Sequence, residues 1–401
     1  GRDSRCVIFV VLLEDLDKEV YPLKTSSIVV GSNNSFRGAP LSAPVETSEG
    51  IKSVVLLDVS SGGEKPGQIG EIDGQPHIVW IEDPMKPGDV RRYVVDYDRT
   101  LVGGVAITTV EDRRLDVTIN GKLFMSYNYG PDSFRPYLHP VIGPHGIPIT
   151  RGFPMIANVP GESTDHPHHR GIWSAYGEVG GVDNWAETDR SGRTVHRCFA
   201  ELQAGPVFGR IIAVGDWVDS NASKIVLAER RDIKIYDSKY GRFFDVVLTL
   251  TAKDSDVLFG DTKEGGFISV RVASSMDVTR GGRLENARGG IGEPEVWGKR
   301  AERCDYSGPL GGRIAGIAVL EHPSSFKHPT YWHARDYGLM SANPFGISAF
   351  LGGNRNGDYV LRAGESIDFS YRIYIHEGGA SEGEVSSMYH AFVDPPTIES
   401  S

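Results

Sequence analysis

The chain has 401 residues, 39% of them apolar and 24% charged, which suits a folded chain of two domains and excludes disorder over most of its length. Its 42 basic and 53 acidic residues leave a net charge of −11, which argues against general nucleic-acid binding and against an anionic membrane surface as partner. The longest apolar run, residues 6–13, is less than half of the ~20 residues a bilayer span needs.

Glycine occurs 49 times and proline 23 times without a strict period, so the chain turns often and tightly, as all-β proteins do. Period-2 alternation or short apolar runs predict strands at 52–59, 77–82, 92–97, 115–119, 207–214, 230–236, 242–251, 266–273, 312–321, 348–351 and 366–376. Residues 32–44, rich in Asn, Ser and Pro, read as a loop. One helix is predicted near the end, at 382–392, where Val385, Met388, Tyr389 and Phe392 share a face. A turn leading into a polar-alternating strand occurs at 86–95 and again at 362–372, a short internal similarity. The division that follows is a small β-sandwich over 1–105 and one large β domain over 106–401. Cys6, Cys198 and Cys304, with no C-x-x-C pair, are too few for a disulfide framework or a cysteine zinc cluster.

Chemistry-bearing residues gather in three places. Of 12 histidines, His139, His145, His166, His168 and His169 fall between positions 139 and 169. The densest stretch is Asp165-His166-Pro167-His168-His169-Arg170-Gly171-Ile172-Trp173. Pro167 forbids a helix interior, and this many polar groups cannot be buried without partners. A lone histidine is usually structural, but three within four positions between Asp and Arg point to a site. On an extended segment His166 and His168 would face one side and His169 the other. Trp173, Asp183, Trp185 and Glu187 extend this cluster. The second is Tyr331-Trp332-His333-Ala334-Arg335-Asp336-Tyr337, followed by Asn343. Rings beside His, Arg and Asp are what a sugar-binding surface uses. The third, Asp261-Thr262-Lys263-Glu264, is charged and lies between two strands, where a solvated turn is the competing reading. No phosphate-binding loop, dinucleotide fingerprint or nucleophile elbow is found.

From these residues the expected protein is an enzyme acting on oligo- or polysaccharides, a glycoside hydrolase or a polysaccharide lyase. The candidate acid/base groups are His166, His168, His333, Asp261 and Glu264. The candidate substrate-binding groups are Arg170, Trp173, Asp183, Trp185, Glu187, Lys263, Arg335, Tyr337 and Asn343. Hydrolysis needs two carboxylates about 5–10 Å apart. Elimination needs a His or Tyr base and a cation, which the His/Arg loop fits better. Epimerisation and non-catalytic sugar binding are the other readings of the same residues. Arg135, Arg151, Arg170, Lys263 and Arg335 would make the pocket locally positive against the net charge. No cofactor is required. A divalent metal, if bound, would take His168 and His169.

The order and spacing of 165–173, 181–185, 261–265, 333–338 and 343–346 resemble a soluble bacterial family labelled "methane oxygenase"-like. The similarity runs from about residue 135 to 392, with Asn184 where an aromatic is expected. The resemblance implies a galactose-mutarotase-like β-supersandwich for the large domain, a place among carbohydrate-degrading proteins, and a periplasmic or secreted location. No leader segment is recognised at the start of the chain. Its label implies a further alternative, oxidative chemistry with copper or iron on His166, His168 and His169.

Overall fold

The structure is a computed structural model that describes residues 27–32, 35–46, 50–99 and 101–400. The apolar run at 6–13 and Cys6 lie outside the described residues. Six strands come first: β1 (Ser27–Gly31), β2 (Ala39–Pro44), β3 (Ser53–Asp58), β4 (Glu64–Ile72), β5 (Gln75–Glu82) and β6 (Val90–Asp96). Then follow β7 (Val105–Val110), β8 (Arg114–Ile119), β9 (Lys122–Asn128), β10 (Tyr137–Val141) and β11 (Ile172–Tyr176). The middle of the chain forms β12 (Arg193–Gln203), β13 (Phe208–Val218), β14 (Ile225–Tyr236), β15 (Arg242–Thr251), β16 (Val257–Phe259) and β17 (Gly265–Arg271). Next come β18 (Arg283–Asn286), α1 (Glu293–Val296), β19 (Arg303–Leu310), β20 (Arg313–Glu321), β21 (Tyr331–Arg335) and β22 (Leu339–Asn343). The last elements are α2 (Ile347–Leu351), β23 (Tyr359–Leu361), β24 (Ser366–Glu377), α3 (Val385–Val393) and β25 (Thr397–Ser400).

The protein is all-β, and these strands build a sandwich of two eight-stranded sheets. One has the order β21-β22-β17-β11-β10-β9-β8-β7, the other β12-β13-β14-β15-β24-β20-β19-β18. In β15, Phe244, Val246, Leu248 and Leu250 point inward at every second position and are fully buried or nearly so. Across the interface Phe267 of β17 stacks on Phe369 of β24 with ring centroids 4.0 Å apart. Phe124 of β9 meets Phe244 edge-on at 6.1 Å.

The other face of the second sheet carries Phe243, Leu320 and Tyr374, which pack with Val385, Met388 and Tyr389 of α3 and with Val79 of β5. A seven-stranded sheet, β2-β5-β4-β3-β6-β1-β25, lies on this side. Its end strands β2 and β25 touch, so it curls around a core containing Val30, Leu41, Leu56 and Trp80. Gln68 of β4 ties it down, its Oε1 accepting from the backbone N–H groups of Val207 and Phe208 at 3.0 and 2.9 Å. The last strand, β25, pairs antiparallel with β1, so residues 397–400 join the sheet of the first hundred residues although the division at 105 assigns them to the large domain.

Two expectations fail locally. Residues 348–351 are helix α2 rather than strand, because a four-residue apolar run has no period to tell the two apart. Within the expected loop at 32–44, residues 39–44 form β2, with Ala39, Leu41 and Ala43 buried. Its prolines are tolerated because β2 ends the sheet order. The helix expected at 382–392 forms as α3. Both halves of the internal similarity become a turn feeding a strand, β6 and β24. Among the described residues no helix is long and apolar enough to cross a membrane.

Candidate functional site

The site lies on the outer face of the first sheet, away from the seven-stranded sheet. Along β11, β17, β21 and β22 the residues Ile172, Val270, Trp332, Ala334, Met340 and Ala342 face the core. Their neighbours Trp173, Arg271, His333, Arg335 and Leu339 therefore face outward. Over this face fold the histidine loop, the 183–187 loop and the 261–264 turn. Together they enclose a cavity of about 660 Å³ lined by His166, His168, His169, Gly177, Asp183, Trp185, Ala186, Thr262, Lys263, Glu264, His333, Arg335, Tyr337 and Leu339.

The histidine loop is a tight turn, not an extended segment. His169 N–H donates to the His166 carbonyl at 3.0 Å, which places Pro167 at the second position of a β-turn, where its fixed φ fits. The expected facing is thereby overturned. His166 and His169 stack in parallel at 4.8 Å and 9°, and His168 meets both rings edge-on. The loop enters β11 through Gly171, at φ +62°, where a Cβ would come within 2.2 Å of the Leu138 carbonyl oxygen.

Buried ions hold the loop. Arg151 and Arg271, both fully buried, donate to Asp165 Oδ1 at 2.5 and 2.7 Å. Burial would raise the Asp165 carboxyl, but the two guanidinium groups outweigh it and hold it below the usual carboxylate range. Arg271 Nη1 also lies 3.1 Å from His169 Nδ1. Arginine can only donate, so this nitrogen accepts and the His169 proton sits on Nε2. Arg135, 1% exposed, donates from Nη2 to the carbonyls of Asn184 and Trp185 at 2.8 and 2.9 Å, and from Nη1 to Glu187 at 3.1 Å. Arg170 grips both Glu187 oxygens, at 2.9 and 2.6 Å.

These contacts sort the residues singled out from the sequence. His166, His168, His169, Asp183, Trp185, Lys263, Glu264, His333, Arg335 and Tyr337 come together at the cavity. Five others do not line it. Asp261 accepts from the backbone N–H groups of Ser348 and Gly357 at 2.9 and 2.7 Å, fixing the start of α2. Arg170 and Glu187 are each other's partners and brace the 183–187 loop. Trp173, 1% exposed, lies beneath the cavity, stacked on His169 at 5.1 Å, where no sugar can reach its face. Asn343, fully buried, donates to the carbonyls of Thr262 and Lys263 and accepts from the N–H groups of Phe345 and Gly346, so it shapes the wall. Asn184 is buried too, its backbone N–H held by the Tyr176 carbonyl at 3.0 Å.

The basic residues expected to make the pocket positive are largely engaged in ion pairs. Arg135 and Arg170 are matched by Glu187, Arg151 by Asp165, Lys263 by Glu264 and Arg335 by Glu293. Only Arg335, among these, keeps its terminal guanidinium nitrogens free of hydrogen bonds within the protein; its ion pair with Glu293 is through Nε at 3.1 Å. The residue the sequence reading missed is Arg271. Its signal was an arginine ending a strand, 265–271, otherwise of apolar and small residues.

Three of the cavity imidazoles, His168, His169 and His333, are kept neutral. Burial, helped by the charge of Arg135, pushes His168 down to about 4. Burial also takes His333 to about 4, with Lys263 and Arg335 adding to it and Glu264 opposing. His169 is driven well below its usual value, again by burial first. Burial would raise Glu264, yet the hydrogen bond from Lys263 and the Lys263 charge hold its carboxyl below the usual range. Burial raises the Tyr337 phenol. Among the described residues no three His, Cys, Asp or Glu side chains converge as metal ligands. Parallel stacking of His166 on His169 brings ring faces together instead of aiming two lone pairs at one point. The copper or iron triad on His166, His168 and His169 therefore finds no support in this donor geometry.

Fold and site thus define an all-β protein with a cavity of clustered imidazoles, one half-buried carboxylate and aromatic walls. The chain belongs to the family described as "Family of unknown function (DUF6807)", which matches residues 114–390 and so contains the whole cavity. No curated protein matches the chain. Among solved structures, a protein in the glycosyl hydrolase family 38 from Enterococcus faecalis is similar at 8% identity and a TM-score of 0.37. That match covers 95% of this chain and 48% of the other, so the chain spans about half the length of its structural match.

Proposed function

We propose that the protein is a carbohydrate-active enzyme that cleaves acidic saccharides by β-elimination. The observation that carries this reading is the pairing of two neutral imidazoles, His168 and His333, with the free guanidinium fork of Arg335 in one cavity. Elimination from a uronate unit removes the C–H proton beside the carboxylate. The electron pair left behind forms the ring double bond and expels the glycosidic oxygen, which takes up a proton. An unprotonated imidazole accepts the first proton. A guanidinium holds the carboxylate bidentately and stabilises the charge that develops on it. Tyr337, which lines the cavity and is kept protonated by burial, would return a proton to the leaving oxygen. Trp185, 3% exposed and 6.4 Å from His333, offers an indole N–H without a protein partner.

Two-carboxylate hydrolysis is less well supported. Of the four candidate carboxylates, Asp261 and Glu187 are committed elsewhere, and Asp183 Oδ1 already accepts from the N–H groups of Trp185 and Ala186. The test is a panel of uronate-containing and neutral polysaccharides, scored for ultraviolet absorbance of unsaturated ends and for new reducing ends. Absorbance with uronates alone is the expected result. Reducing ends without absorbance would move the reading to hydrolysis by Asp183 and Glu264. No cleavage of any member, with no saccharide binding, would overturn it.

A further inference from the structure

A second cavity, of about 460 Å³, lies beside the first and is lined by Glu293, Pro294, Trp297, Arg335 and Asp336. Among the described residues Arg335 alone lines both. The wall is built rather than incidental. Glu293 N–H donates to Asp336 Oδ1 at 2.9 Å, and Asp336 N–H donates back to Glu293 Oε2 at 3.0 Å. Glu293 Oε1 then fixes Arg335 at 3.1 Å, which leaves the guanidinium fork at the junction. Trp297 is half-buried, and its indole N–H has no partner within the protein. Its ring meets Phe350 of α2 edge-on at 5.3 Å, and Phe350 in turn lies 6.5 Å from His333. A row of rings therefore joins the floor of the second cavity to an imidazole of the first.

We infer that this second cavity is a subsite for the sugar unit that follows the two joined by the scissile bond, with Trp297 as its stacking platform. The inference rests on the functional reading above and deepens it, because it makes the substrate an oligosaccharide or polymer instead of a single sugar. A ring face suits a pyranose, which offers C–H bonds to it, and the Arg335 fork at the junction is a donor for its hydroxyl oxygens. Arg335, shared by both cavities, positions the chain where it passes from one to the other.

The experiment compares acidic disaccharides and tetrasaccharides from the same panel on the wild type, Trp297→Ala and Trp297→Phe. Binding is measured by calorimetry in a His168→Asn background, and turnover in the otherwise unaltered protein. Trp297→Ala is expected to weaken tetrasaccharide binding and kcat/KM about tenfold, with disaccharides within about twofold, and Trp297→Phe to restore most of the loss. Equal effects on both lengths, or none, would overturn the subsite while leaving the functional reading intact. Absence of binding by any saccharide would overturn both. Binding that depends on chain length and on Trp297, without elimination, would uphold the subsite and remove the proposed chemistry.

Discussion

The two faces of the first sheet are built from the same strands and obey opposite rules. On the inner face, Ile172, Val270, Trp332 and Met340 are buried among other apolar side chains and need only fill space. On the outer face Arg271 and His333 are buried as deeply, at 0% and 2% exposure. The charged groups there depend on specific partners, as Arg271 does on Asp165, because an unpaired charge out of water is costly. The comparison teaches that burial alone does not mark a core. A face of buried, mutually braced polar groups under a cavity marks a site.

The largest expected effect separates chemistry from stability on that outer face. His333→Asn or His168→Asn should lower kcat/KM on the eliminated substrate by about 10²–10⁴-fold with little change in the thermal midpoint. A midpoint that collapses along with activity would show that the imidazoles are structural. The two faces should then differ in how their losses combine. Arg271→Ala should cost about 3–5 kcal/mol, and Met340→Ala about 2–5 kcal/mol, by denaturant titration. Asp165→Asn should add less on top of Arg271→Ala than it costs alone, since its partner has gone, but should add fully to Met340→Ala. Full additivity in both pairs would erase the distinction drawn here.

Smaller effects sharpen the picture. Asn343→Ala strips four backbone groups of one buried partner and should cost about 2–3 kcal/mol. It should also lower activity by loosening the 262–264 turn, which chemical denaturation and kinetics can separate. Because the His168 and His333 bases are neutral above about 4, kcat/KM should be flat near neutrality and fall as pH drops through about 4. An acid limb near 6 to 7 would assign the base elsewhere. The smallest effect lies on the far side of the sandwich, where His376 Nε2 meets Asp305 Oδ2 at 2.7 Å. Burial would lower His376, but the Asp305 charge and hydrogen bond outweigh it and raise it. This pair therefore adds stability that is fully present below about 6.5 and is lost as pH rises through the raised value. Asp305→Asn should flatten that dependence, read as thermal midpoint against pH.

Much of the fold was legible because strand patterning is local. The strand predicted at 242–251 forms with the same bounds as β15, and that at 366–376 differs from β24 by one residue. Period-2 alternation over ten residues leaves few other conformations that bury the same side chains. Residues 348–351, too short for any period, were misread for the same reason. The candidate site was legible as composition: three clusters, 165–173, 261–264 and 331–337, supply most of the cavity wall. Their division of labour was not. Arg170 and Arg335 are both arginines beside aromatics and acids, yet one is spent on Glu187 and the other keeps its fork free. Trp173 and Trp185 differ only in which lies above the other.

The sequence by itself determined that the chain is all-β and that its histidines, rings and charges gather in a few loops, because those signals reside in neighbouring residues. Only the tertiary structure decided which carboxylate meets which guanidinium, that Arg271 from a distant strand braces His169, and that one cavity continues into another across Arg335. Those pairings join positions 14 to 106 residues apart, such as Arg151 with Asp165 and Asp165 with Arg271. Charge complementarity is blind to sequence separation, so many pairings satisfy the same composition, and only the folded sheet selects one.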